Sequence, residues 1–299
     1  MQASEILFCI FNYHEASNAE FLYHELRPYF RCHIIDANSG QRPDPCDGDT
    51  VYLPNVFYSG MMHHAVTMAD EGHYPYLFFI CSDVQISHEA LMQLKDILLS
   101  ESFEGVGVYC PSHADDSYTW VAWSYSRHSG RRRSVAFAEG MLGMYAAPVY
   151  KQLEPLDINP HGWGLDLVAC FYARHWGMRV EIDDRLSITH PKGDVHKNTL
   201  ARNEARAYLM RYPEGKAIRR YWVACSIRNA AIQPFILPAS YRRWLRFFLP
   251  VYRFFHRRCT LTATSTCTRF LKRRTVGRSL HRQSPDLCSP CRIRLCRTG

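Results

Sequence analysis

Short uncharged apolar runs alternate with stretches of helical spacing through the first 190 residues. Residues 5–11 (EILFCIF) read as a strand buried on both faces, because a half-exposed strand would alternate apolar and polar positions. Residues 18–30 put Phe21, Leu22, Leu26 and Tyr29 on one side, as a helix does. Residues 32–35 form a second short strand that runs into Asp36 and the turn-forming DANSG. Strand, helix, strand in this order predicts a parallel sheet that takes ligands at the carboxyl ends of its strands. The pattern continues with strands at 51–53, 76–80 and 105–110, a helix at 61–71 and a strand-like run at 136–145. A short helix at 149–153, a firmer one at 165–175 and strands at 178–182 and 186–189 complete it. The fold class this predicts is α/β, in three layers. Beyond it, residues 198–211 are an amphipathic helix stopped by Tyr212 and Pro213, and a further helix covers 216–231.

Charge divides the chain where periodicity does. Residues 241–299 hold 15 Lys and Arg and one acid, Asp286, a net +14, whereas residues 1–240 hold 21 basic and 27 acidic residues, a net −6. A mildly acidic body therefore carries a strongly basic tail, which suits an anionic surface, membrane or nucleic acid. Residues 241–258 interleave Trp244, Phe247 and Phe248 with Arg242, Arg243 and Arg246. That run either lies at a membrane interface or packs on the body with its arginines outward. From residue 260 large apolar residues are few, and poor order is expected. No stretch approaches a transmembrane span, and residues 1–11 do not resemble a signal peptide. Cys9, Cys81, Cys110, Cys170 and Cys225 sit inside regular elements, as buried free thiols of a reducing compartment do, so a cytoplasmic location is expected.

Three segments offer chemistry. The strand before CSDVQIS delivers Ser82 and Asp83 to a sheet edge, where a carboxylate either holds a hard cation or serves as a turn residue. HGWGLD sets Asp166 at a helix start behind Trp163 and Gly164, with Gly140 upstream permitting close backbone approach. Asp166 is either a general base for an acceptor hydroxyl or an acid favoured by the helix dipole. His190 follows a strand and precedes a proline, a third cation ligand or a structural imidazole. Asp36, Asn38 and Ser39 either meet a ribose or base or simply turn the chain. Arg131, Arg132 and Arg133 form a basic run that either reaches a diphosphate or is a solvated face.

In their order these segments resemble the GT-A fold glycosyltransferases, most closely the inverting family 2 group, over residues 5–193. The resemblance implies a Rossmann-like catalytic domain over residues 1–195, a helical segment at 196–240 packing on it, and the basic tail at 241–299 as a mainly helical extension. It implies a nucleotide-contacting loop at Phe11 and Asn12, a base-side contact at Asp36 and Asn38, and an Asp-X-Asp metal motif at Cys81-Ser82-Asp83. Asp83 and His190 would hold a divalent cation, Mn or Mg. Asp166 would act as base, with Gly140, Trp163 and Gly164 on the acceptor side. The donor would be a UDP- or GDP-type nucleotide sugar, and the acceptor a glycan, a lipid-linked glycan or a protein. An anionic membrane surface on the inner face of the membrane would be met through residues 241–258. The departure is Cys81, which stands where the motif has its first Asp. A thiol is a poor magnesium ligand, which motivates a second reading as a binding protein that has lost turnover. A nucleic-acid-binding tail is a third reading, disfavoured because the basic residues lie outside the folded body. A zinc site at Cys288, Cys291, Cys296 and His281 is weak, resting on one CxxC.

Overall fold

A computed structural model describes residues 1–37, 40, 43–44, 48–54, 56–119, 121–153, 159–191 and 199–232. Eight strands form one sheet in the order β3-β2-β1-β4-β7-β5-β8-β6. They are β1 Ile6–Asn12, β2 Arg31–Asp36, β3 Thr50–Tyr52, β4 Tyr76–Cys81, β5 Val106–His113, β6 Arg132–Ser134, β7 Leu142–Ala146 and β8 Arg179–Ile188. β2, β1 and β4 run parallel, with β1 register-paired to both neighbours, Asn12 opposite Asp36 and Phe11 opposite Cys81. β7 is antiparallel to both β4 and β5, and β8 is parallel to β5.

Side-chain alternation on β1 explains the layers. Leu7, Cys9 and Phe11 point into one core cluster, and Ile6, Phe8 and Ile10 into the other. Helices α2 (Phe57–Glu71) and α5 (Leu165–His175) cover the first face. Helices α1 (Ala16–Leu26) and α3 (His88–Ser100) cover the second. The predicted three-layer α/β architecture is the observed one. A four-residue helix, α4 (Ala147–Tyr150), follows β7. Helices α6 (Thr199–Arg211) and α7 (Gly215–Ile232) add Tyr208, Leu209, Ile218 and Cys225 to the first face.

Several boundaries differ from the sequence reading for identifiable reasons. The strands expected at 178–182 and 186–189 are one strand, β8, whose pairing with β5 slips between Pro111 and Ser112. That slip lets β5 run through Pro111 to His113 rather than stop at residue 110, because a proline in a central strand needs an irregularity there. The run 136–145 is a strand only from Leu142, and Gly140 lies in the approach to it. α3 is an element beyond those predicted from periodicity: Ser87 caps it through Ala90, and Leu91, Leu94, Ile97 and Leu98 share one buried stripe. β6, which takes in Arg132 and Arg133 of the three-arginine run, is an edge strand. Arg133 pairs with Asp184 at 2.9 Å, and Arg132 with Glu101 at 3.2 Å and Glu181 at 3.4 Å, so those two arginines are neutralised by the body's own acids.

The six described cysteines are free, five of them buried and Cys81 partly so. Among the described residues no helix is long and apolar enough to cross a membrane. The whole basic tail, the cysteine set at 288–296 and Asn38 lie outside the described residues.

Candidate active site

The chain's connections switch sides at β1, between β2 and β4, the place in such a sheet where a ligand crevice is expected at the carboxyl ends of the strands. Asn12 and Asp36 end β1 and β2, Ser82 directly follows β4, and the three form one buried unit. Asn12 Nδ2 donates to Asp36 Oδ1 at 2.7 Å, and Ser82 Oγ donates to Asn12 Oδ1 at 3.1 Å. Asp36 is fully buried, so its expected contact with a base would require the unit to open. Phe11 likewise turns inward, its ring edge-on to Tyr58 at 5.7 Å, while its carbonyl accepts from Ser82 N.

Asn18, on α1, fixes the turn that follows. Its Nδ2 donates to the carbonyls of Ser82 at 2.6 Å and Val84 at 3.1 Å. Two further backbone bonds, Gln85 N to Thr189 O at 2.8 Å and Thr189 N to Gln85 O at 2.9 Å, tie this turn to the end of β8. Asp83 and His190 thereby meet, Nε2 to Oδ2, at 3.2 Å. Burial alone would lower the His190 pKa, but the Asp83 hydrogen bond and charge overcome it and hold the imidazole above its ordinary range. Asp83 Oδ1 and His190 Nδ1 are buried atoms without a partner.

No group of three His, Cys, Asp or Glu side chains placed to hold a metal ion occurs among the described residues. The donors nevertheless fit a hard divalent cation of which the protein supplies two ligands, water and phosphate oxygens completing the shell. The unpartnered Asp83 Oδ1 is the observation that favours this. Cys81 adds nothing to the donor set as a thiol, since burial and the Asp83 charge push its pKa well up.

Asp166 lies in the first turn of α5, and its Oδ1 accepts from Leu167 N at 2.8 Å. Burial pushes its pKa up to about 6, against the hydrogen bonds from Leu167 and Gly140 that lower it. Gly164, at φ 90°, starts α5, a backbone that L side chains rarely adopt. At Gly140 an added Cβ would stand 2.9 Å from Tyr145 Oη and 3.2 Å from Asp166 Cβ. The Gly140 carbonyl accepts from Tyr58 Oη at 2.8 Å. Trp163 is half-buried, and its carbonyl accepts from Asn159 at 3.0 Å.

Gly162 holds this loop against Tyr58. Its φ is 72° and an added Cβ would lie 2.3 Å from the Tyr58 ring. Gly162→Ala is therefore expected to destabilise the fold by about 1–3 kcal/mol, read as a lower urea midpoint at unchanged slope.

Glu139 sits behind the site, where it accepts from Thr119 Oγ1. Burial pushes its carboxyl up to about 8, with the Asp166 charge adding and the Thr119 bond and His190 opposing. The folded protein thus holds this proton above the unfolded carboxyl value of about 4.3, so the stability it contributes is full below that value and is lost as pH rises through 8. Glu139→Gln keeps the acceptor oxygen but cannot ionise. It is expected to melt with wild type near pH 5 and a few degrees above it at pH 9, at about 2–4 °C per kcal/mol. Thermal melts across that range would show whether the two curves diverge.

Asn18, Tyr58, Thr119 and Glu139 were not read from the sequence, because each is brought in by a long-range contact.

No protein-family model matches the chain, and no curated protein matches it. Solved structures do. Staphylococcus aureus TarS 1-349 in complex with UDP is similar at TM-score 0.50 and 9% identity, over 77% of this chain and 72% of that one. The mannosyltransferase PcManGT from Pyrobaculum calidifontis, in complex with GDP-Man and Mn2+, aligns at TM-score 0.41 and 13% identity, over 81% and 83%. A197 from STIV aligns at 0.38 and 13%, over 64% and 87%. The fold is of the GT-A glycosyltransferase type.

Proposed function

We propose that the chain is an inverting glycosyltransferase that moves a sugar from a UDP- or GDP-type donor to an acceptor hydroxyl in surface polysaccharide or glycan synthesis. The observation that carries this is Asp166. It is a carboxylate with a pKa near 6, set in a glycine frame on the same sheet edge as the Asp83–His190 pair. A carboxylate of that strength is ionised at neutral pH yet basic enough to take a proton. The likeness to TarS, whose structure holds UDP, supports the nucleoside diphosphate as donor class.

In this reading the nucleoside lies over the unit formed by Asn12, Asp36 and Ser82, with Phe11 beneath, and Asn38 is a further base-side contact. Asp83 and His190 would hold the divalent cation, Mn or Mg, which when bound offsets charge on the departing diphosphate. Trp163, Gly164 and Gly140 seat the acceptor. Asp166 removes the proton from the acceptor O–H. The freed electron pair forms the new bond to the anomeric carbon from the face opposite the diphosphate. The bond from that carbon to the phosphate oxygen breaks, the diphosphate leaves with the pair, and the configuration inverts. The acceptor is a glycan, a lipid-linked glycan or a protein, and residues 241–258 meet an anionic membrane on its cytoplasmic face.

Calorimetric titration with UDP, GDP and CDP, each with and without Mn2+, tests the reading. Binding of one nucleotide that requires the metal is expected. Binding of none would sink it. A second reading, a nucleotide-sugar-binding protein without turnover, is favoured by the neutral Cys81 thiol in the metal motif. Tight binding with no sugar transfer to any acceptor preparation would select it.

A further inference from the structure

Helices α6 and α7 bury one stripe each in the same core cluster, Tyr208 and Leu209 from α6 and Ile218 and Cys225 from α7. The exposed positions of both helices are rich in cations: Arg202 and Arg206 on α6, and Lys216, Arg219, Arg220 and Arg228 on α7. None of the six has an ion-pair partner among the described residues. The two acids of these helices and their joining turn are turned inward, Glu204 to His161 at 2.7 Å and Glu214 to Tyr172 Oη at 2.7 Å. Among the cations stand large apolar side chains, Val223 50% and Met210 53% exposed, while Trp222, 38% exposed, borders the buried stripe of Ile218 and Cys225.

A surface kept cationic only for solubility would intersperse acids and would not hold tryptophan, valine and methionine in water. A nucleic acid would use the charges and the Trp222 ring, but it offers nothing to Val223 and Met210. A bilayer with anionic headgroups satisfies both sets at once, charges at the phosphates and apolar tips at the acyl boundary.

We propose that the outer face of the α6–α7 hairpin is a docking surface for an anionic phospholipid bilayer, distinct from the aromatic run at 241–258. The same helix that turns Arg202 and Arg206 outward holds the acceptor loop inward. Glu204 pairs with His161, and Leu209 lies 3.6 Å from the Cβ position of Gly164. Docking on this face sets the Asp166 loop beside the membrane, which favours a lipid-linked acceptor; that last step alone rests on the glycosyltransferase reading.

The experiment is flotation of the full chain with vesicles of phosphatidylcholine alone and with phosphatidylglycerol added. Two variants accompany it, Arg206→Glu/Lys216→Glu/Arg220→Glu and Trp222→Ser/Val223→Ser, each checked for an unchanged melting profile. Wild type is expected on the anionic vesicles only, and less so as salt rises. The charge variant is expected to lose about tenfold or more of its partition, since each cation near such a surface contributes separately. The apolar variant is expected to lose severalfold, a loss that high salt does not erase. Equal partition of wild type and both variants overturns the proposal and leaves the membrane to residues 241–258. Loss of oligonucleotide retention without loss of vesicle binding overturns it in favour of nucleic acid. Nucleotide calorimetry on the same variants separates the two readings: unchanged affinity with lost flotation supports docking whatever the chemistry proves to be.

Discussion

Asp166→Asn is expected to lower kcat by about 10²–10⁴-fold while leaving nucleotide affinity within about twofold. Asparagine preserves the size of the side chain and the oxygen that accepts from Leu167 N, so α5 and the glycine frame keep their geometry. What it removes is the proton acceptor. The wild-type profile of kcat/KM against pH carries the sign. A base must be ionised to act, so activity rises through about pH 6 and falls below it, because burial has pushed this carboxyl up from the usual range. In the variant that acid limb disappears from whatever residual rate survives. A variant that transferred sugar at the wild-type rate would remove Asp166 from the chemistry and leave it as a helix-start residue.

Asp83→Ala is expected to abolish the metal-dependent part of nucleotide binding, weakening it by at least about 100-fold, since disturbing even an outer-shell group costs 10–100-fold. Asp83 is the one carboxylate at the end of β4, because Cys81 contributes a neutral thiol. Its Oδ1 is buried without a partner, and its Oδ2 is 3.2 Å from His190. Alanine takes away one donor and the charge that holds the other in its present state. Calorimetry with and without Mn2+ reads the loss directly. Affinity that is equal in both proteins would place the cation, if one is used, elsewhere.

The elements that position this site differed in how plainly the sequence announced them. β1, β2 and β4 are legible because a strand buried on both faces must be an uninterrupted apolar run, and residues 6–12 are buried throughout. α5 is legible because Leu167, Val168, Phe171 and Tyr172 share a side. β6 was not, since three residues, two of them arginine, have no strand preference of their own; they pair with β8 because its acids are waiting there. Asp166 and His190 could be singled out by their settings, Gly-Trp-Gly and the strand end before proline. The meeting of His190 with Asp83 could not, since it depends on the paired backbone bonds between Gln85 and Thr189, 104 positions apart in the chain. Asp36 shows the limit from the other side. A strand-end acid is easily read as open to a ligand, and only the fold reveals that Asn12 has already engaged it.

The sheet order also sets a timetable. β3-β2-β1-β4 is assembled from residues 6–81, neighbours along the chain, whereas β7-β5-β8-β6 pairs residues 106–113 with residues 179–188. Contacts between distant segments form late, because the intervening loop must be closed first. During synthesis from the amino end, the β3-β2-β1-β4 half can therefore assemble while the β7-β5-β8-β6 half is still being made. The union of Asp83 with His190 comes later still, after residue 190 has emerged and β8 has joined the sheet. On the proposed reading, a nascent chain would lack its cation seat until then and would meet the nucleotide pool of the cell without the means to act on it.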